Sequence, residues 1–147
     1  MSKTLILGYG NPLRGDDGAG WQAARLLEER IQNPDVTVLA RRQLTPELAD
    51  DLSRVDRVIF IDASTAHTPG TFAWKAIHPA TASPEAFSHD CDPPALLALA
   101  RALFGVSPQA FMLEIGAGDF GCGGRLSPVV EARMEEVVEL VLGRVKE

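Results

Sequence analysis

The stretch Thr4-Leu-Ile-Leu-Gly-Tyr-Gly10-Asn-Pro-Leu-Arg-Gly-Asp16-Asp17-Gly18 decides the fold. Thr4 to Leu7 is a short apolar run closed by Gly8 and Gly10, the pattern of a buried strand that enters a tight turn. Past the loop Asn11 to Asp16 the period changes. Ala19, Ala23, Leu26, Leu27 and Ile31 fall on one helical face, with Glu28, Glu29 and Arg30 opposite, and Asn33-Pro34 ends the helix. A buried strand, a glycine turn and an amphipathic helix form the first half of a βαβ unit, so the chain is expected to be α/β.

The pattern continues outward from there. Val36 to Leu39 reads as a second strand, and Thr45-Pro46 as an N-cap and first residue of a short helix through Leu52. Val58 to Ile61 reads as a third strand running directly into Asp62. The stretch 62–70, before the strand-like run Thr71 to Ile77, holds His67, Pro69 and Gly70 but no helical pattern. A parallel crossover needs about a dozen residues or more, so this fourth strand is expected to run antiparallel. Asp92 then reads as the N-cap of a helix with Pro93 in its first turn, Leu96, Leu97, Ala100, Leu103 and Phe104 inward, and Gly105 as its stop. Phe111 to Ile115 is the fifth strand. Ser127-Pro128 opens a final helix with Val130, Met134, Val137, Val138, Val141 and Val145 at helical spacing.

At 147 residues the chain fits one domain, spanning residues 1–147, able to bury a core without staples. Cys91 and Cys122 have no zinc-site or redox spacing and read as ordinary thiols suited to a reducing cytosol. With a formal net charge of -6 and scattered basic residues, no nucleic-acid footprint exists. No apolar run approaches a membrane span and no signal-like segment opens the chain, so a cytoplasmic protein with neither membrane nor nucleic acid as partner is expected.

In open α/β sheets ligands bind beyond the carboxyl ends of the strands, and the unusual residues collect at that edge. Asp16 and Asp17 follow the first strand, Asp62 ends the third, and the glycine-rich run Gly116 to Gly124 follows the fifth. Gly8-Tyr-Gly10 invites comparison with a dinucleotide fingerprint. However, Leu13 stands where that motif needs glycine or alanine, and two carboxylates at the helix start would repel a pyrophosphate. Helix capping accounts for one of Asp16 and Asp17, and Asp62 alone could be a turn residue. Two carboxylates from separate strand ends, joined by an imidazole, suit a divalent transition metal. His89, just before a helix N-terminus that disfavours the imidazolium, is the first choice, with His67 in reserve and His78 at the far edge.

The run Gly8-Tyr-Gly-Asn-Pro-Leu-Arg-Gly-Asp-Asp-Gly-Ala-Gly20 resembles the opening motif of the hydrogenase maturation endopeptidases. The likeness continues through Val58-Ile-Phe-Ile-Asp-Ala63, Ser88-His89 before a Leu-rich helix, and Gly124-Arg-Leu-Ser-Pro128. Those proteases trim the C-terminal extension from the large subunit of [NiFe] hydrogenases after nickel insertion. The resemblance implies a three-layer α/β/α sandwich around a mixed five-stranded sheet with one antiparallel strand. It also implies that Asp17, Asp62 and His89 are the metal-contacting and catalytic residues. The partner it implies is the [NiFe] hydrogenase large-subunit precursor, whose own nickel is the metal, with no organic cofactor. Hydrolysis would use that metal as Lewis acid, one carboxylate assisting proton transfer. A rival reading is a non-catalytic nickel-checking or precursor-binding module built on the same residues. Many relatives carry an acidic residue with Gly and Thr after the second strand, where this chain has Ala40-Arg-Arg-Gln-Leu-Thr-Pro-Glu47. Substrate choice therefore does not transfer from them.

Overall fold

The structure is a computed structural model that describes residues 2–81, 91–121 and 123–146. Five strands, β1 (Thr4–Tyr9), β2 (Val36–Arg41), β3 (Arg57–Ser64), β4 (Phe72–Ile77) and β5 (Gln109–Gly116), form one sheet in the order β2-β1-β3-β5-β4. β1 pairs in parallel with β2 and β3, β3 pairs in parallel with β5, and β4 lies antiparallel to β5. The short connection between β3 and β4, 65–71, thus produces the single antiparallel strand.

Five helices, α1 (Ala19–Arg30), α2 (Leu48–Leu52), α3 (Pro93–Phe104), α4 (Pro128–Glu131) and α5 (Met134–Val145), cover the sheet, and a 3-10 turn, Gly15–Gly18, precedes α1. Strand residues alternate between two cores, as the pleat requires. Ile6, Ile59, Ile61, Leu113 and Ile115 pack with Ala23 and Leu27 of α1 and with Val137, Val138 and Val141 of α5. Leu5, Leu7, Phe60 and Met112 face the other way, onto Leu48 and Leu52 of α2 and Leu96, Leu97 and Ala100 of α3. Helices on both faces of a mixed five-stranded sheet make the three-layer α/β/α sandwich.

Four elements depart from their sequence reading. Leu103 and Phe104 are 63% and 46% exposed and belong to neither core. The apolar period of α3 continues to the end of the helix, but the layer beneath it does not. Thr45 is not a side-chain cap. Its carbonyl and that of Pro46 accept from Leu48 and Ala49 in a lead-in turn, and α2 starts only at Leu48. The last helix is broken by a turn at 132–133, yet Val130, Met134, Val137, Val138 and Val141 all stay buried, so the apolar stripe outlasts the backbone regularity. Finally, β3 runs past Asp62. Its pairing with β1 ends at Gly8↔Ile61, whereas its pairing with β5 continues through Asp62↔Glu114 to Ser64↔Gly116.

α1 lies unusually close to the sheet. A Cβ on Gly8 would fall 2.1 Å from the Gly20 carbonyl oxygen, and one on Gly20 would fall 2.2 Å from the carbonyl oxygen of Ile61. Backbone meets backbone here, and neither side can yield as a flexible side chain would. Gly20→Ala is therefore expected to lower stability by at least about 1–3 kcal/mol. Gly143→Ala, in α5 with nothing within 4 Å of its added Cβ, is expected to raise it by about 0.5–1 kcal/mol. Urea unfolding midpoints of the two variants should move in opposite directions.

Candidate active site

Beyond Tyr9 the chain turns through Gly10, whose φ of 141° suits glycine alone. The loop then closes on itself. The Asn11 N–H donates to Asp17 Oδ2 at 2.9 Å, and Asn11 Oδ1 accepts from the Leu13 N–H at 2.9 Å. Asp17, half-buried in the 3-10 turn, is thereby held at the carboxyl edge of the sheet, between β1 and α1.

Its neighbour Asp16 has a different part. It is 0% exposed, and its carboxylate accepts four hydrogen bonds. Gly118 N–H (3.1 Å), Asp119 N–H (3.0 Å) and the Ser127 hydroxyl (2.8 Å) converge on Oδ2, and Ser127 N–H reaches Oδ1 at 2.7 Å. Burial pushes its pKa up, but the donated hydrogen bonds from Ser127, Gly118 and Asp119 outweigh that and hold the carboxyl below its ordinary range. Ser127 stands at the N-cap position of α4 but makes no side-chain cap, since its hydroxyl is committed to Asp16.

Asp62 lies where β1 leaves β3. In parallel register with Glu114, it faces the α3 side of the sheet, and its Oδ1 accepts from the Ala63 N–H at 2.8 Å. Burial pushes its pKa up to about 7. The Tyr9 hydroxyl and the Ala63 N–H pull it down, and the charges of Asp17 and Glu114 push it up again. The two sequence-derived carboxylates are thus within electrostatic reach of one another. Tyr9 is itself raised well above the ordinary phenol range, by burial and then by Asp62.

Glu114 has two nitrogen neighbours, His67 Nε2 at 3.1 Å and Lys75 Nζ at 3.2 Å. Burial raises its pKa, but His67 and Lys75 bring it below its ordinary value. Tyr9, Asp62, Lys75, Met112 and Glu114 line a cleft of about 250 Å³ with Pro93 at the start of α3.

His89, the imidazole favoured from sequence, lies outside the described residues, as does Cys122. His67 is engaged with Glu114, and His78 follows β4 at the amino edge of the sheet. Among the described residues no group of three His, Cys, Asp or Glu side chains is arranged to hold a metal ion. Asp17 and Asp62 carry carboxylate oxygens, a donor type that divalent cations accept. Tyr9, Glu114 and Lys75 were not singled out from sequence. Glu114 did carry a signal, a lone charge inside the apolar run Phe111 to Ile115 of a sheet covered on both faces.

No family model matches the chain. It is, however, 30% identical over 159 residues to hydrogenase 2 maturation protease of Escherichia coli strain K12, an alignment covering 99% of this chain and 92% of that protein. The chain belongs to the hydrogenase maturation protease family. Among solved structures it is similar to the hydrogenase maturating endopeptidase HybD of E. coli, with a TM-score of 0.79 at 27% identity, covering 98% of this chain and 92% of that one. It is also similar to a hydrogenase 2 maturation peptidase from a thaumarchaeote, with a TM-score of 0.74 at 26% identity and 98% of both chains covered. HycI of Thermococcus kodakarensis, at 24% identity and a TM-score of 0.79 over 99% of this chain and 94% of that one, shares the fold. The family is one of endopeptidases, so the cleft beside Asp62 is the candidate site of peptide-bond hydrolysis.

Buried Asp16 and half-buried Asp62 give stability opposite pH dependences. Asp62 binds its proton more tightly folded than unfolded, so its contribution is fully present below about pH 4 and is lost as pH rises through about 7. The loss is about 1.4 kcal/mol per pH unit within that window. Asp62→Asn is expected to flatten this slope and to be the more stable form at pH 8. Asp16 binds its proton less tightly folded, so its contribution is present above the ordinary carboxylate range and fades only below about pH 4. Asp16→Asn should cost about 1–3 kcal/mol for each buried donor left without an acceptor. Urea titrations of the three proteins from about pH 3 to about pH 8, which brackets both transitions, check both signs.

Proposed function

We propose that this protein is an endopeptidase that removes the C-terminal extension of a [NiFe] hydrogenase large-subunit precursor after nickel has been inserted. Likeness across 99% of the chain to a hydrogenase 2 maturation protease supports the substrate class. The single observation that carries the site assignment is the convergence of Asp17 and Asp62, from separate strand ends, at one edge of the sheet.

On this reading Asp17, Asp62 and His89 contact the nickel already lodged in the precursor, so the metal enters as part of the substrate. Recognition and hydrolysis then share one set of ligands, and a precursor without nickel offers the protein nothing to close on. The substrate's metal polarises the scissile carbonyl, and one of the two carboxylates takes up the proton of the attacking water. After β5, Gly123, with nothing within 4 Å of the place a Cβ would take, lets an extended substrate backbone approach closely.

Mass spectrometry of the large-subunit precursor, incubated with the purified protein with and without nickel, tests the proposal. We expect loss of the C-terminal extension from the nickel-loaded precursor only. Asp17→Asn and Asp62→Asn should fold normally and reduce the cleavage rate by at least about a hundredfold, the scale of removing one group that acts on the transition state. Wild-type rates in either variant would remove these residues from the site. Tight binding without cleavage by the wild-type protein would make it a nickel-checking module instead.

A further inference from the structure

Asp16 is the one fully buried carboxylate among the described residues, and nothing in the proposed chemistry uses it. Burying a carboxylate costs several kcal/mol even when it is well partnered. If two loops needed only to be tied together, a serine or asparagine side chain would do so at lower cost.

The distinction of Asp16 lies in what its four hydrogen bonds connect. The pairing of β1 with β3 stops at Gly8↔Ile61, one residue short of Asp62. Beyond that point a chain of hydrogen bonds links the two strand ends. Ser64, two residues after Asp62, accepts from the Ala117 N–H at 2.9 Å, and the next two amides, of Gly118 and Asp119, donate to Asp16. Two backbone bonds run parallel to this link, Asp16 N–H to the Asp119 carbonyl and Gly15 N–H to the Gly123 carbonyl, each 2.8 Å. Asp17 is the next residue along the chain. Its own side-chain bond, to the Asn11 N–H, stays within its loop and reaches neither β3 nor the 116–121 stretch.

We infer that Asp16 is a positioning residue for the proposed proteolysis: its buried carboxylate locks the glycine-rich stretch to the loop bearing Asp17 and thereby sets the separation of Asp17 from Asp62. The inference rests on the reading of Asp17 and Asp62 as the residues that meet the substrate. A charged acceptor suits the task because hydrogen bonds to a carboxylate are shorter and stronger than neutral ones, and four of them leave little freedom to shift. A displacement of about 1 Å at a reacting group costs on the order of a hundredfold in rate.

The experiment compares kcat and KM for cleavage of nickel-loaded precursor by the wild type, Asp16→Asn, Ser127→Ala and the double variant Asp16→Asn/Gly143→Ala, each well below its unfolding midpoint. We expect Asp16→Asn to lower kcat by on the order of a hundredfold with KM within about threefold of wild type, the signature of a defect confined to the transition state. Adding Gly143→Ala should recover part of the lost stability and leave kcat low. Ser127→Ala, which deletes one of the four donors, should lower kcat by about three- to tenfold, and it carries the test if Asp16→Asn does not fold. Folded variants with wild-type kcat, or activity that returns together with stability in the double variant, would overturn the inference and leave the functional reading standing. A wild-type protein that leaves the loaded precursor intact would instead overturn both.

Discussion

The close contact between Gly20 and the ends of β1 and β3 is the constraint on which the rest depends. With backbone against backbone, α1 starts at a fixed height above the sheet, and the loop from Gly10 to Gly18 must return to that height in few residues. The 3-10 turn is the tight form the chain takes to do so. It presents two successive carboxylates to different surroundings, one inward among backbone amides and one toward the open edge. A single dipeptide thus supplies both a structural anion and a candidate functional one.

Electrostatics separates the carboxylates further. Asp16, surrounded by donors, stays ionised despite complete burial. Asp62, with fewer donors and with Asp17 and Glu114 near, holds its proton close to neutrality. The contrast follows from hydrogen-bond supply, since both groups are withdrawn from water. Lys75 and His67 keep the charge of Glu114 in place beside Asp62, so the neighbouring strand contributes to the character of the site without an apparent part in the chemistry.

Strand directions were legible from the chain alone because β-branched runs and connection lengths report local geometry. The stretch between the third and fourth strands is too short for a crossover, and β4 is antiparallel accordingly. The end of α3 was not legible. Leu103 and Phe104 keep the helical period, and periodicity cannot say where the facing layer stops. Topology alone put Asp17 and Asp62 at one edge, where the structure also has them. The role of Asp16 was hidden for a different reason. Its partners lie 102 to 111 residues away, and no local pattern announces a carboxylate that caps a distant loop. The break at 132–133 escaped notice because the buried stripe runs through it unchanged.

The position of Asp62 inside β3, and not after it, governs how this chain can vary. A residue within a paired strand is aimed by the pleat, so one inserted or deleted residue between Arg57 and Asp62 would turn the carboxylate toward α1 and α5 and bring an apolar side chain to the cleft. A length change in the connection beyond Ser64, where the chain is free of the pleat, would leave that aim intact. Diversity among related chains should accumulate in such rim segments, around an inner edge whose spacing is held to the residue.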